Sequence, residues 1–210
     1  MPEIDKNKSE QELEGLRFLE RDFNQCMQQL RHYDAQIVDI LKFTFTAYSA
    51  LIGIALGLYQ FGLKENKNLY LPAISALILG LIIGLLMFAL VIRNRAYFVR
   101  VARYINEQRY FFLQTRPMGF ENKSGMYTDY KKPPYFNWRS SHSWIGYIFA
   151  ALNASLLGGL LYLLFLKIWA VVIGGSLMFF IFQLALGIAY LRTRENKTAS
   201  KAIFGKHGER

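Results

Sequence analysis

The chain has 210 residues, of which 53% are hydrophobic and 19% charged, with a formal net charge of +10 and a mean hydropathy of +0.15. That apolar share is high for a soluble domain carrying so many charges, so the two populations must be segregated along the chain. One cysteine, Cys26, excludes an intramolecular disulfide framework and agrees with a reducing compartment.

Residues 1–41 form the first region, polar and mixed in charge. They are expected to hold no signal peptide, which leaves the first apolar block as its own uncleaved insertion signal. Leu16, Phe23, Leu30 and Ile37 recur every seven residues, with Leu19, Cys26, Tyr33 and Ile40 three positions after each. This heptad pattern predicts an amphipathic helix whose stripe needs a partner, because a lone amphipathic helix has little stability in water. The aromatic and thiol groups in the seam favour packing within a helical bundle over self-pairing.

Residues 42–92 read as a first transmembrane hairpin. Roughly twenty apolar residues cross a hydrocarbon layer of about 30 Å, and Phe43 to Gly62 and Leu69 to Ile92 both meet that length. Ser49, Gly53 and Gly57 stand four apart on the first crossing; Ala76, Gly80 and Gly84 do so on the second. Small residues at that spacing let helix backbones approach closely, which predicts a tight antiparallel contact between the two rows.

Residues 93–143 form a basic and aromatic region. On a helical wheel Tyr97, Phe98, Val101, Tyr104, Ile105, Gln108, Phe111 and Phe112 share one arc, and Arg95, Arg100, Arg103, Asn106 and Arg109 take the rest. Such a helix could pack on the acidic N-terminal helix, which has nine acidic residues against five basic up to Leu41. A second reading lays residues 94–113 flat among anionic headgroups. Nucleic acid is disfavoured as a partner, since no recognition-module signature accompanies the basic patch. From Gln114 to Ser143 the composition turns to Pro, Gly, Asn, Ser and aromatics, predicting an ordered loop. Arg95, Arg100, Arg103 and Arg109, with Tyr127 and Trp138 of this loop, are the candidate contacts for a partner or for lipid headgroups. The alternative for the loop aromatics is that they cover the helix bases at the interface.

Residues 144–191 read as a second hairpin, Trp144 to Leu166 and Ile168 to Leu191, turning at Lys167 and Trp169, or alternatively at Gly158-Gly159 or Gly174-Gly175. Asn153 and Gln183 lie within these crossings, and mutual hydrogen bonding would satisfy both amides. No Asp, Glu, Arg or His falls in any crossing, which disfavours a proton-driven antiporter; an assembled pore with a hydrophobic gate stays open as a reading. Residues 192–210 are a basic tail. Six Lys or Arg precede the first crossing, ten lie between the second and third, and six follow the fourth, which leaves only Lys64, Lys67 and Lys167 opposite them. The positive-inside rule therefore places both termini and the central region in the cytoplasm, facing anionic lipid.

The expected fold is all-α: a polytopic membrane protein with four transmembrane helices and a helical cytoplasmic layer. No metal-ligand spacing or nucleophile motif is present around His32, His142, His207 or Cys26, and His142 reads as a surface histidine, so neither a cofactor, a metal nor an enzymatic activity is expected. The order of heptad helix, membrane hairpin and Arg/aromatic helix over residues 9–113 resembles the small membrane effectors that accompany bacterial nucleotide-signalling and antiviral defence systems. Those effectors commonly have one hairpin, and the second hairpin here departs from that layout. The resemblance implies an oligomer of the inner membrane that either permeabilises it or relays a signal from a cytoplasmic protein. A facilitator for a small solute and a membrane-anchored scaffold recruiting a soluble protein are the alternatives.

Overall fold

The computed structural model describes residues 3–114, 119–165 and 168–197. These residues form four helices: α1 (Glu3–Lys64), α2 (Tyr70–Gln114), α3 (Ser141–Leu164) and α4 (Trp169–Lys197). No strand occurs among the described residues. All four are long and apolar enough to cross a membrane.

Local chemistry sets the ends. α1 stops because Asn66 adopts a left-handed conformation (φ 54°), and the Lys67 amide then donates back to the Gly62 carbonyl at 3.0 Å, the closure of a Schellman motif. A side chain at Gly62 would meet that turn at 2.8 Å. α2 carries Pro72 in its first turn, where a missing N–H costs no hydrogen bond. α3 is capped by Ser140, whose hydroxyl accepts from the Ser143 amide. α3 ends at Leu164 and α4 begins at Trp169, while Gly158-Gly159 and Gly174-Gly175 lie inside helices; Lys167 is outside the described residues. Trp144 and Tyr162 on α3 are eighteen residues apart, about 27 Å at 1.5 Å per residue. That length is close to the thickness of a hydrocarbon layer.

Of the heptad positions of α1, Leu19, Phe23, Cys26, Leu30, Tyr33, Ile37 and Ile40 are buried or half-buried and Leu16 is exposed, while the fully buried residues along the whole helix recur at eleven. Cys26, Ile37 and Tyr48 are buried at that interval, as are Thr44 and Ala55. Eleven residues in three turns give 3.67 per turn, close to the natural 3.6, so the stripe stays on one side of a long helix where a heptad stripe would drift.

The chain divides into two compact units. One contains residues up to Asp34, Tyr97–Pro134 and the chain from Glu195; the other contains Ala35–Ala96 and Tyr135–Arg194. The second unit holds the four apolar segments. Its core has two clusters, one of Ile37, Phe88, Val91, Phe149 and Ala150, and one of Tyr48, Ala55, Leu77 and Leu156.

A polar ladder runs through this apolar core. The Tyr48 hydroxyl donates to Asn153 Oδ1, and Asn153 Nδ2 donates to Gln183 Oε1 at 2.7 Å. Gln183 Nε2 in turn faces the Phe179 carbonyl at 3.3 Å. Gly84 makes room for it, since a Cβ there would collide with both Tyr48 Oη and Asn153 Oδ1.

The predicted contact between small-residue rows needs correction. Gly80 and Gly84 do face inward, and a Cβ at Gly80 would sit 3.5 Å from Leu51; Ala76 is half-buried beside the second cluster. Ser49, Gly53 and Gly57 are exposed, and nothing lies within 4 Å of a Cβ built on either glycine. Along α1 the contact face runs instead through Thr44, Tyr48 and Ala55, which follow the eleven-residue stripe, and a step of four from Ser49 leads away from it.

Candidate functional site

The first unit is assembled on the N-terminal part of α1 and the C-terminal part of α2. Asp22 accepts from Tyr104 Oη at 2.8 Å and from Gln108 Nε2 at 2.7 Å. Cys26, one turn further along α1, is buried beside this knot. Burial first, then the Asp22 carboxylate, pushes its thiol above the ordinary value; Tyr104 moves the same way, for burial and then for its bond to Asp22. Tyr33 stacks on Tyr97 with ring centroids 6.2 Å apart, and Arg100 covers the Tyr97 ring at 5.8 Å.

α2 runs unbroken from Tyr70 to Gln114, so the Arg/aromatic stretch continues the second apolar segment and is not a separate helix. Nor is it two-faced. Tyr97, Tyr104 and Gln108 meet α1, and residues of the opposite arc are covered by the loop. Arg103 and Asn106 are 6% and 5% exposed. Arg103 Nε donates to the Pro133 carbonyl at 3.0 Å, and its guanidinium pairs with Glu195. Asn106 Nδ2 donates to the carbonyls of Asp129 and Lys132 at 3.1 and 2.8 Å. In the second unit, Arg95 is likewise buried and donates to the Tyr135 carbonyl at 3.1 Å. Arg95 and Arg103 are therefore loop anchors and not surface contacts, a second correction. A helical wheel misses this because backbone carbonyls of a folded loop serve as acceptors whatever side chains they carry.

The remaining candidates separate. Trp138 is exposed in the second unit, edge-on to Phe136 at 4.8 Å, and its carbonyl accepts from Tyr147 Oη. His142, expected at the surface, is half-buried and shares a crevice of about 30 Å³ with Arg95 and Phe136. Arg109 and Tyr127 come together. The Arg109 guanidinium lies over two rings, 5.5 Å from the Phe23 centroid and 5.3 Å from that of Tyr127, and touches Met27 Sδ at 3.9 Å. Tyr127 reaches it from a left-handed backbone position (φ 56°), a cost for a non-glycine residue that the surrounding turn must hold. That turn is tied internally, with Asn122 donating to the Met126 carbonyl and Thr128 to the Gly125 carbonyl.

Beneath Arg109 lies a cavity of about 870 Å³, within the range of small-molecule sites. Its floor is Met27 and Leu30 of α1 with Phe98, Ala102 and Ile105 of α2; Asp129, Lys132 and the 124–127 turn supply the rim. The sequence signal for it was the aromatic loop, but the enclosing geometry depends on anchors that no motif announces. No family model, curated protein or solved structure matches the chain, so the chemistry of the site rests on its own residues.

Proposed function

We propose that the protein is a non-enzymatic integral membrane subunit, an effector or regulator, that relays an event in its cytoplasmic layer to the bilayer. It crosses the membrane four times, with both ends and the 93–143 region in the cytoplasm, and assembles with copies of itself. The observation that carries this reading is continuity: α1, with 62 residues, and α2, with 45, each build part of the cavity unit and then run without a break into an apolar segment. An uninterrupted hydrogen-bonded helix transmits a shift at one end to the other, which a loop would absorb. The layout shared with small defence-associated effectors points the same way.

The polar ladder favours this role over a single-copy facilitator. Tyr48, Asn153 and Gln183 satisfy one another in the core, so a conducting path is expected between copies. The exposed row of Ser49, Gly53 and Gly57 offers a surface where such copies could approach.

The test is ion release from liposomes reconstituted with a Cys26→Ser protein bearing Tyr33→Cys and Tyr97→Cys, before and after a short bifunctional thiol reagent joins α1 to α2. A change in release on joining, absent from each single-cysteine control, is the expected result. Identical release before and after would count against the relay.

A further inference from the structure

We infer that the cavity under Arg109 binds a small amphipathic anion: a carboxylate or phosphate head held by the Arg109 guanidinium, and an apolar body lying on Met27, Leu30, Phe98, Ala102 and Ile105. The inference goes beyond the relay and does not require it.

Three features converge. The first is charge. Arg109 has no carboxylate within ion-pairing distance among the described residues, whereas Arg103 has Glu195 and Lys132 lies 3.9 Å from Asp129. A half-buried cation without a counter-ion is costly, and an incoming anion removes that cost.

The second is orientation. Phe23 and Tyr127 each hold the guanidinium within cation–π distance, a contact that uses no N–H hydrogen bond and so leaves the N–H fork for a ligand. That fork matches the two oxygens of a carboxylate or phosphate. The contacts with Phe23, Tyr127 and Met27 restrict the side chain before any ligand arrives, which lowers the entropy lost on binding.

The third is the floor. It is apolar and belongs to two helices, while the rim is a turn closed by its own hydrogen bonds. A purely hydrophilic anion would leave this floor wet, and a neutral amphiphile would leave Arg109 uncompensated. Only a molecule with both parts uses both.

The ligand could come from the cytoplasm or from the bilayer, and the experiment separates the two. Protein in phosphatidylcholine nanodiscs is treated with phenylglyoxal, and modification of Arg109 is followed by mass spectrometry with decanoate, decyl phosphate, decyl maltoside or inorganic phosphate present. The first two are expected to slow modification by about tenfold or more, the range of a charge-assisted contact. The neutral glycoside and bare phosphate are expected to have little effect. Protection in nanodiscs containing phosphatidylglycerol, with no addition, would assign the anion to membrane lipid; protection confined to added decanoate or decyl phosphate would assign it to a soluble source. Ala102→Trp should fill the floor and abolish protection while Arg109 stays reactive, and the wild-type competition stands even if that variant fails to fold. Equal protection by decyl maltoside or by inorganic phosphate, or none by either amphipathic anion, would overturn the assignment. None of these outcomes depends on ion release, so the relay and the ligand can fail separately.

Discussion

Gly84 and Asn153 share one space: the position a Cβ would take on Gly84 is filled by the side-chain oxygen of Asn153 and the hydroxyl of Tyr48 that bonds to it. Any larger residue at 84 must break that hydrogen bond or push the helices apart. Gly84→Ala is therefore expected to destabilise the protein by ~1–3 kcal/mol, as overpacking in a close-packed core does. Gly53→Ala and Gly57→Ala, on an open surface, should be neutral or gain up to ~1 kcal/mol from helix propensity. Denaturation midpoints in detergent compare the three; equal losses at all of them would contradict the packing described.

The ladder itself has a measurable coupling. Asn153→Leu and Gln183→Leu each leave the other amide short of a partner in an apolar setting. A double-mutant cycle should give a coupling of about 0.6–1.7 kcal/mol, the span seen for hydrogen bonds between membrane helices. A coupling near zero would mean the two amides do not rely on each other.

Loop anchoring distinguishes the arginines. Removing Arg103 or Asn106 strands carbonyls at Pro133, or at Asp129 and Lys132, and should free the loop. Arg103→Ala or Asn106→Ala is expected to accelerate proteolytic cleavage within residues 119–134 several-fold, since local opening controls such cleavage. Arg100→Ala, on the exposed side, should leave the rate unchanged. Similar cleavage in all three variants would remove the distinction.

The Asp22 knot carries an alkaline signature. Cys26 and Tyr104 have folded-state values raised above their ordinary 9.0 and 10.0, so the folded protein holds both in the protonated form. Their contribution to stability is complete below about pH 9 and is lost as pH rises beyond it, because the unfolded chain gives up these protons first. Alkylation of Cys26 should accordingly be slower than that of a free thiol at pH 8, and Asp22→Asn should speed it by removing the neighbouring charge. Fast alkylation in the wild type would show the thiol to be accessible and unperturbed.

What could be read from the sequence was whatever depends on one residue and its periodicity. Apolar blocks gave four helices, and two lone amides in apolar runs gave the Asn153–Gln183 pair. Tyr48 is inconspicuous because it stands as one aromatic within an apolar run; its spacing of eleven from Ile37 and twenty-two from Cys26 is the available signal. The small row at Ser49 misled because a step of four departs from the stripe an extended helix buries. Arg95 and Arg103 were misread because their acceptors are loop carbonyls, and the cavity because its walls meet only after that loop is anchored.

Cysteine accessibility tests the four-crossing arrangement most directly. In a Cys26→Ser background, Lys67→Cys should react with a membrane-impermeant maleimide added to intact cells, while Phe120→Cys and Thr193→Cys should react only in inverted vesicles. Labelling of position 120 or 193 from outside intact cells would contradict the proposed arrangement on which the relay rests.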